Sequence, residues 1–317
     1  MPKTPSTSVR NPFDKPVWAL AIHGGAGAIP KGDPAEAAYR ASLDRVLAAG
    51  AQRLEAGDSA LDVVESLVRM LEDDELFNAG KGAVLNEKGE AELDAAIMDG
   101  ATLRAGAVAS VKTVKNPVTL ARAVMERSPH VMLVADGAEN FASSVGVERV
   151  PNAYFVTERR RKQLQQELAR RKTSAAPAPG PARSGTVGAV ALDRSGRLAA
   201  ATSTGGMNAK MPGRVGDAPI IGAGTFADET VAISCTGAGE QFMRHHVAGG
   251  VALRMEHLQE TVDAASSYYV RDVLAPGDGG LIAVDARGNA ALPFNSPGMF
   301  RGVADSTGRF DVRIWEN

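Results

Sequence analysis

Apolar residues recur along this chain in two periods, and the alternation between them sketches a mixed fold. The run Val17-Trp18-Ala19-Leu20-Ala21-Ile22 is continuous and β-prone, and it predicts a strand that stops at a flexible turn, His23-Gly24-Gly25-Ala26-Gly27. Asp33 as N-cap, Pro34 at the first helical position and Glu36 as capping-box partner predict a helix start. Leu43, Val46, Leu47 and Leu54 then recur at helical spacing until Gly57 ends the segment. A second helix is predicted from Asp58 or Ser59, with Leu61, Val64, Leu67, Val68 and Leu71 on one stripe, and a third from Asn116-Pro117 to about Ser128-Pro129. Between them Leu93 to Met98 and Ala105 to Val111 are short apolar segments, the second alternating like a buried strand.

The second half begins with period-two patterning. Val187 to Leu192 and Leu198 to Thr202 flank the turn Asp193-Arg194-Ser195-Gly196. Leu281 to Val284 and Ala290 to Phe294 flank Asp285-Ala286-Arg287-Gly288 in the same way, so both pairs predict hairpins of antiparallel sheets. A strand at Val231 to Cys235 and helices near Glu240 to Arg254 and Thr261 to Leu274 lie between them. Strands followed by helices in both halves imply an α+β fold of sheet layers flanked by helical layers, four in all.

One stretch breaks this texture. Glu158 to Lys172 is strongly basic, and Thr173 to Ser184 is almost wholly Ala, Pro, Gly, Ser and Arg. The composition predicts a disordered linker over about 158–185, entered through a solvated basic helix, because too little apolar surface is available to offset the entropy of ordering. No aromatics interleave the basic residues, which argues against a nucleic-acid patch. The linker ends at Gly185-Thr186, directly before a strand.

Bulk properties narrow the function only a little. The 317 residues are 44% hydrophobic and 23% charged, an ordinary globular balance, and a formal charge of −2 offers no general attraction to nucleic acid or acidic membranes. One cysteine, Cys235, excludes an intrachain disulfide. No apolar run approaches the roughly 18 residues of a membrane helix, and the polar stretch Met1 to Lys15 does not read as a secretory signal. The expectation is a cytoplasmic protein. His23, His130, His245, His246 and His257 are scattered without metal-type spacing, Asn78 to Gly82 lacks the rest of a phosphate loop, and there is no Gly-x-Ser-x-Gly elbow.

Gly185-Thr186 supplies a chemical reason for its own position. A threonine hydroxyl is a weak nucleophile that needs an adjacent base. If Thr186 became the first residue of a chain, its α-amine, with an unperturbed pKa of about 7.7–8.0, would be that base. Taken alone the dipeptide reads, by a wide margin, as an ordinary strand start.

The remaining motifs change that balance. Ile22-His23-Gly24-Gly25-Ala26-Gly27, Leu76-Phe77-Asn78-Ala79-Gly80 with Gly82, Leu93-Asp94-Ala95 with Met98-Asp99-Gly100, Gly185-Thr186-Val187-Gly188, Ala201-Thr202-Ser203-Thr204-Gly205-Gly206, Pro212-Gly213-Arg214-Val215-Gly216-Asp217 and Ser234-Cys235-Thr236-Gly237-Ala238-Gly239-Glu240 follow one another in this order. Together they resemble the plant-type L-asparaginase / isoaspartyl-dipeptidase family of N-terminal-nucleophile hydrolases, from about residue 17 to residue 303 apart from the linker.

The resemblance implies an αββα sandwich built jointly by an α subunit, residues 1–185, and a β subunit, residues 186–317, with two such pairs forming a dimer. It implies that Thr186 is the nucleophile of both self-cleavage and hydrolysis, steadied by Thr204. Thr236 and the Gly237 amide would form the oxyanion hole. Arg214 would grip the substrate α-carboxylate, and Asp217 with Gly239 would receive the α-ammonium. Asn78 would support the scissile region. The substrates implied are L-asparagine and β-aspartyl dipeptides; no cofactor takes part, and a structural sodium ion is held by backbone carbonyls of the Leu71 to Lys81 loop, where Lys81 replaces a small apolar residue. Two other readings compete: a glycosylasparaginase-like hydrolase, which shares the threonine, and a non-catalytic binding protein whose chain stays uncut.

Overall fold

A computed structural model describes residues 16–173 and 185–316. Twelve strands and eight α-helices are present among these residues. The eight-stranded sheet has the order β12-β11-β1-β5-β6-β2-β3-β4, formed by Phe310–Arg313, Gly298–Asp305, Ala19–Gly27, Val187–Leu192, Leu198–Thr204, Leu93–Asp99, Ala105–Val111 and Met132–Val134. The four-stranded sheet has the order β10-β9-β8-β7, from Ala290–Ala291, Gly279–Asp285, Val231–Gly237 and Thr225–Ala227. All pairings are antiparallel except β3 with β4.

Strand alternation divides the core into three. Leu20 and Ile22 of β1 point to one face and pack with α1 (Glu36–Ala56), α2 (Ala60–Glu72) and α3 (Pro117–Arg127). The α2 stripe of Val63, Val64, Leu67, Val68 and Leu71 is wholly buried there, each side chain contributing about 1.5–3 kcal/mol. Ala19 and Ala21 point the other way and meet Val190, Leu192, Ala200, Ala232, Ile282 and Val284 between the two sheets. Ile233, Cys235, Leu281 and Ala283 face α7 (Val247–Leu258) and α8 (Val262–Ser267) on the outer side of the smaller sheet.

Most predicted elements are present, and the departures have local causes. Ser59 caps α2 by accepting from the Asp62 amide, and Gly57 ends α1 in the left-handed region. Asp33 is not a helix cap: its Oδ1 takes the Ala35 amide in a turn, α1 starts only at Glu36, and Glu36 pairs with Arg40. The glycine-rich stretch after Ile22 is no free turn, since β1 runs on through Gly27 with a bulge between His23 and Gly25. The helix expected over 240–254 breaks at His246, which is left-handed between α6 (Gly239–His245) and α7. That over 261–274 ends as a π-turn from Tyr268 to Val273. The return strand of the second hairpin is only Ala290–Ala291.

The largest correction concerns the basic run. Glu158–Thr173 is the expected basic helix, α5, but it is an ordered part of the fold rather than disordered linker. It is not wholly solvated either: Arg160 and Leu164 are buried, and Arg159 donates to the Tyr39 hydroxyl and to the carbonyls of Glu75 and Leu76. Two anchoring arginines do what apolar content cannot. The rest of the expected linker, residues 174–184, lies outside the described residues. No helix among the described residues is long and apolar enough to cross a membrane.

Candidate active site

The inter-sheet layer changes character at one end. Along β5 the positions facing it run Leu192, Val190, Gly188 and then Thr186; along β6 they run Leu198, Ala200, Thr202, Thr204; along β8, Ala232, Ser234, Thr236; along β1, Ala19, Ala21, His23. Period-two alternation therefore carries the hydroxyls of three strands and the imidazole of a fourth into one buried cluster.

Thr186 sits at its centre, 6% exposed, directly before β5. Its hydroxyl donates to Thr204 Oγ1 at 3.1 Å, and Thr204 Oγ1 also accepts the Gly206 amide at 3.0 Å. The Thr186 carbonyl is bonded to His23 Nδ1 at 2.9 Å. Since a carbonyl only accepts, Nδ1 carries the proton, and Nε2 must accept from Ser234 Oγ at 2.8 Å. Thr202 lies 2.7 Å beyond Ser234, and Thr225 donates to Thr202 at 2.6 Å. Burial pushes the His23 imidazole down to about 3, against a smaller upward pull from the Thr186 carbonyl, so it stays neutral. Gly188 makes room for this bridge, because a Cβ there would run into both His23 Nε2 and Ser234 Oγ.

On the amino side, Gly185 is wedged against the β1 bulge. A Cβ on Gly25, whose φ is +112°, would run into the Gly185 Cα. Asn78 lies beside them, 1% exposed; it donates to the Gly206 carbonyl at 2.8 Å and accepts the Val84 amide at 2.8 Å, and its own carbonyl takes the Gly205 amide. Asn78 thus ties its loop to the end of β6, two residues past Thr204.

Thr236 is fully buried, and the only hydrogen bond of its hydroxyl among the described residues is the Ala26 amide it accepts at 3.2 Å. Its proton remains available to a developing oxyanion. Gly237 follows at φ +150°, pressed so closely to Asp278 and Gly279 that no side chain fits.

Arg214, Asp217 and Gly239 converge. A Cβ on Gly239 would stand 2.8 Å from Asp217 Oδ1 and 3.0 Å from Arg214 Nη2. Asp217 is 4% exposed, and its Oδ2 is buried without a hydrogen-bond partner among the described residues. Burial raises its carboxyl to about 7, although the nearby Arg214 charge pulls down. Arg214 is not idle: Nε and Nη2 bind Glu240 Oε1 and Oε2, each at 2.9 Å. Burial would raise Glu240, but the Arg214 hydrogen bond and charge hold it below its usual value. This side-on grip leaves Nη1 and the outer Nη2 proton unengaged.

All the residues singled out in the sequence therefore gather at the same end of the inter-sheet layer. The structure adds His23, Ser234, Thr202 and Glu240. His23 lacked metal spacing and so carried no signal as a ligand; its signal was the period-two continuation of Ala19 and Ala21. Glu240 was visible only as an acid in the first turn after β8. The Leu71 to Lys81 loop closes through the Lys81 amide on the Glu72 carbonyl at 2.7 Å, while Lys81 Nζ turns outward to Glu75 at 3.7 Å.

The described chain is similar to known proteins over nearly its whole length. An asparaginase family model matches residues 16–314. An isoaspartyl peptidase of Salmonella typhimurium is 52% identical over 89% of this chain and 93% of its own length. A probable isoaspartyl peptidase/L-asparaginase of Arabidopsis thaliana is 44% identical over 94% of this chain and 99% of its own, and the isoaspartyl peptidase/L-asparaginase of Mus musculus 44% over 88% and 86%.

Proposed function

The chain belongs to the asparaginase family, and on that premise we propose that it is an amidohydrolase that cuts its own Gly185–Thr186 bond and then hydrolyses L-asparagine and isoaspartyl dipeptides through Thr186. One observation carries the reading: the buried Thr186 hydroxyl has another threonine as its partner, while the nearest imidazole is bonded to the Thr186 carbonyl instead. Among the described residues no side-chain base is hydrogen-bonded to the Thr186 hydroxyl. An α-amine created on the same residue would supply one.

In this mechanism the amine takes the hydroxyl proton, Oγ1 attacks the β-carbonyl, and the proton passes to the leaving nitrogen. Thr236 and the Gly237 amide stabilise the tetrahedral oxygen. Water then attacks the acyl-enzyme with the amine as base, releasing aspartate. Arg214, held at the right angle by Glu240, meets the substrate α-carboxylate with its free protons, and the unpartnered Asp217 oxygen meets the α-ammonium. Gly239 keeps that pocket open. Asn78 holds the scissile segment against Gly25.

The three cores fit the helix–sheet–sheet–helix layering of an N-terminal-nucleophile hydrolase, shared between fragments 1–185 and 186–317. Main-chain carbonyls of the Leu71–Lys81 loop would hold a structural sodium ion, and two processed pairs would associate.

Intact-mass measurement of the purified active protein should find a polypeptide beginning at Thr186, and Thr186→Ala should remain one uncut chain without activity on either substrate. Full activity from an uncut wild-type chain would overturn the proposal and favour a base elsewhere; an uncut chain with no activity would favour a binding protein.

A further inference from the structure

The mechanism leaves a cavity of about 300 Å³ unused. Gly25, Asn78 and Gly185 line it together with Arg159, Arg160 and Gln163 of helix α5. Arg160 is 5% exposed, and among the described residues it makes no ion pair with any carboxylate. Its Nε donates to the Gly82 carbonyl and Nη1 to Gln163 Oε1 at 2.9 Å, both uncharged acceptors. Burying a guanidinium without a counter-charge is costly. Burial pushes it down to about 9, so it is still a cation at neutral pH.

Position decides what this cation faces. The leaving nitrogen of a substrate must take its proton from the Thr186 amine, and that amine stands where the Gly185–Thr186 bond was. The leaving group therefore extends toward the space Gly185 lines. For asparagine that group is ammonia and reaches nothing. For an isoaspartyl dipeptide it is a whole amino acid, with a carboxylate one carbon from the reacting nitrogen.

Resting on the proposed role of Thr186, we infer that this cavity is the leaving-residue subsite for isoaspartyl dipeptides, with Arg160, aided by Gln163, binding the departing residue's carboxylate. The bond broken is the amide between the β-carbonyl and that residue; the residue leaves as the free amino acid, its nitrogen protonated from Thr186. Tyr39 and Phe300, stacked at 4.3 Å, and Phe77 form an aromatic wall of the same cavity. That wall suits an apolar side chain on the departing residue.

The test compares kcat/KM of the processed enzyme for β-aspartyl-leucine and for β-aspartyl-leucinamide, which differ only in the carboxylate. The free acid should be preferred by about tenfold, as loss of one ion contact implies. Gln163→Glu keeps the Arg160 hydrogen bond while placing a competing carboxylate in the cavity, and should shrink that preference to about twofold or less. Arg160→Lys, which keeps the charge, should retain more of the preference than Arg160→Gln. Equal use of acid and amide by the wild-type enzyme overturns the inference while leaving the proposed function standing. An equal fall on both dipeptides in Gln163→Glu also overturns it, because that is the result of a structural role. Failure to hydrolyse either dipeptide or L-asparagine removes both readings together.

Discussion

The two halves of the site are finished to different degrees. Around Thr186 the polar groups form a closed chain, from Thr225 through Thr202, Ser234 and His23 to the Thr186 carbonyl. Around Asp217 the chain is broken: one carboxylate oxygen is buried without a partner, and Arg214 is held from one side only. In the proposed mechanism Thr186 is positioned before any bond is cut, whereas the proposed substrate side keeps its charges for a zwitterion to complete. Preorganisation belongs to the group that must react, and unmet electrostatic demand to the groups that must recognise.

Substitutions on each side should therefore separate cleavage from turnover. The largest separation is expected for Arg214→Ala. Self-cleavage should persist on a denaturing gel while kcat/KM for L-asparagine falls on the order of 10³-fold, since a buried charged contact is lost. If cleavage stopped as well, the two halves would be one unit and the contrast would fail.

Asp217→Asn sharpens the comparison. Turnover should drop about 10²-fold through loss of the ammonium contact, yet the protein should become more stable. The sign follows from the carboxyl, raised from 3.8 to about 7 in the folded chain. Stability contributed by the neutral acid is full below the unfolded value and is lost as pH rises through about 7. Thermal melting above pH 7 should accordingly show the Asn variant higher by about 2–4 °C, with the gap closing toward pH 4. In the wild type, KM for L-asparagine should climb as pH falls below about 7, a step absent from the variant. A less stable Asn variant would mean that Asp217 is already partnered.

The smallest effect is expected at His23. His23→Gln keeps a donor for the Thr186 carbonyl but breaks the line to Ser234. It should lower kcat about tenfold with KM nearly unchanged, and slow processing, as measured by steady-state kinetics and a gel time course. A change confined to KM would place His23 on the substrate side.

Legibility followed the same division. The hairpins at Asp193 and Asp285 were plain in the sequence because their turns are made by side chains on neighbouring backbone: Asp193 Oδ1 takes the amides of Ser195 and Arg197, and Asp285 Oδ1 those of Arg287 and Asn289. A third turn, Asp305-Ser306-Thr307-Gly308, repeats the chemistry between β11 and β12. The anchorage of helix α5 is invisible to composition, which counts apolar atoms, whereas Arg159 and Arg160 anchor it through carbonyls of a loop some 80 residues away.

The sequence by itself determined the family resemblance, most of the strands, and the identity of the threonine at the strand start, because alternation and motif order are written locally along the chain. Only the tertiary structure decided that Asp217 Oδ2 is buried without a partner among the described residues, that Glu240 holds Arg214, that His23 serves a carbonyl, and that two arginines of α5 line one cavity with Gly185. Burial and pairing arise where distant segments meet, and no single segment encodes what the others will bring.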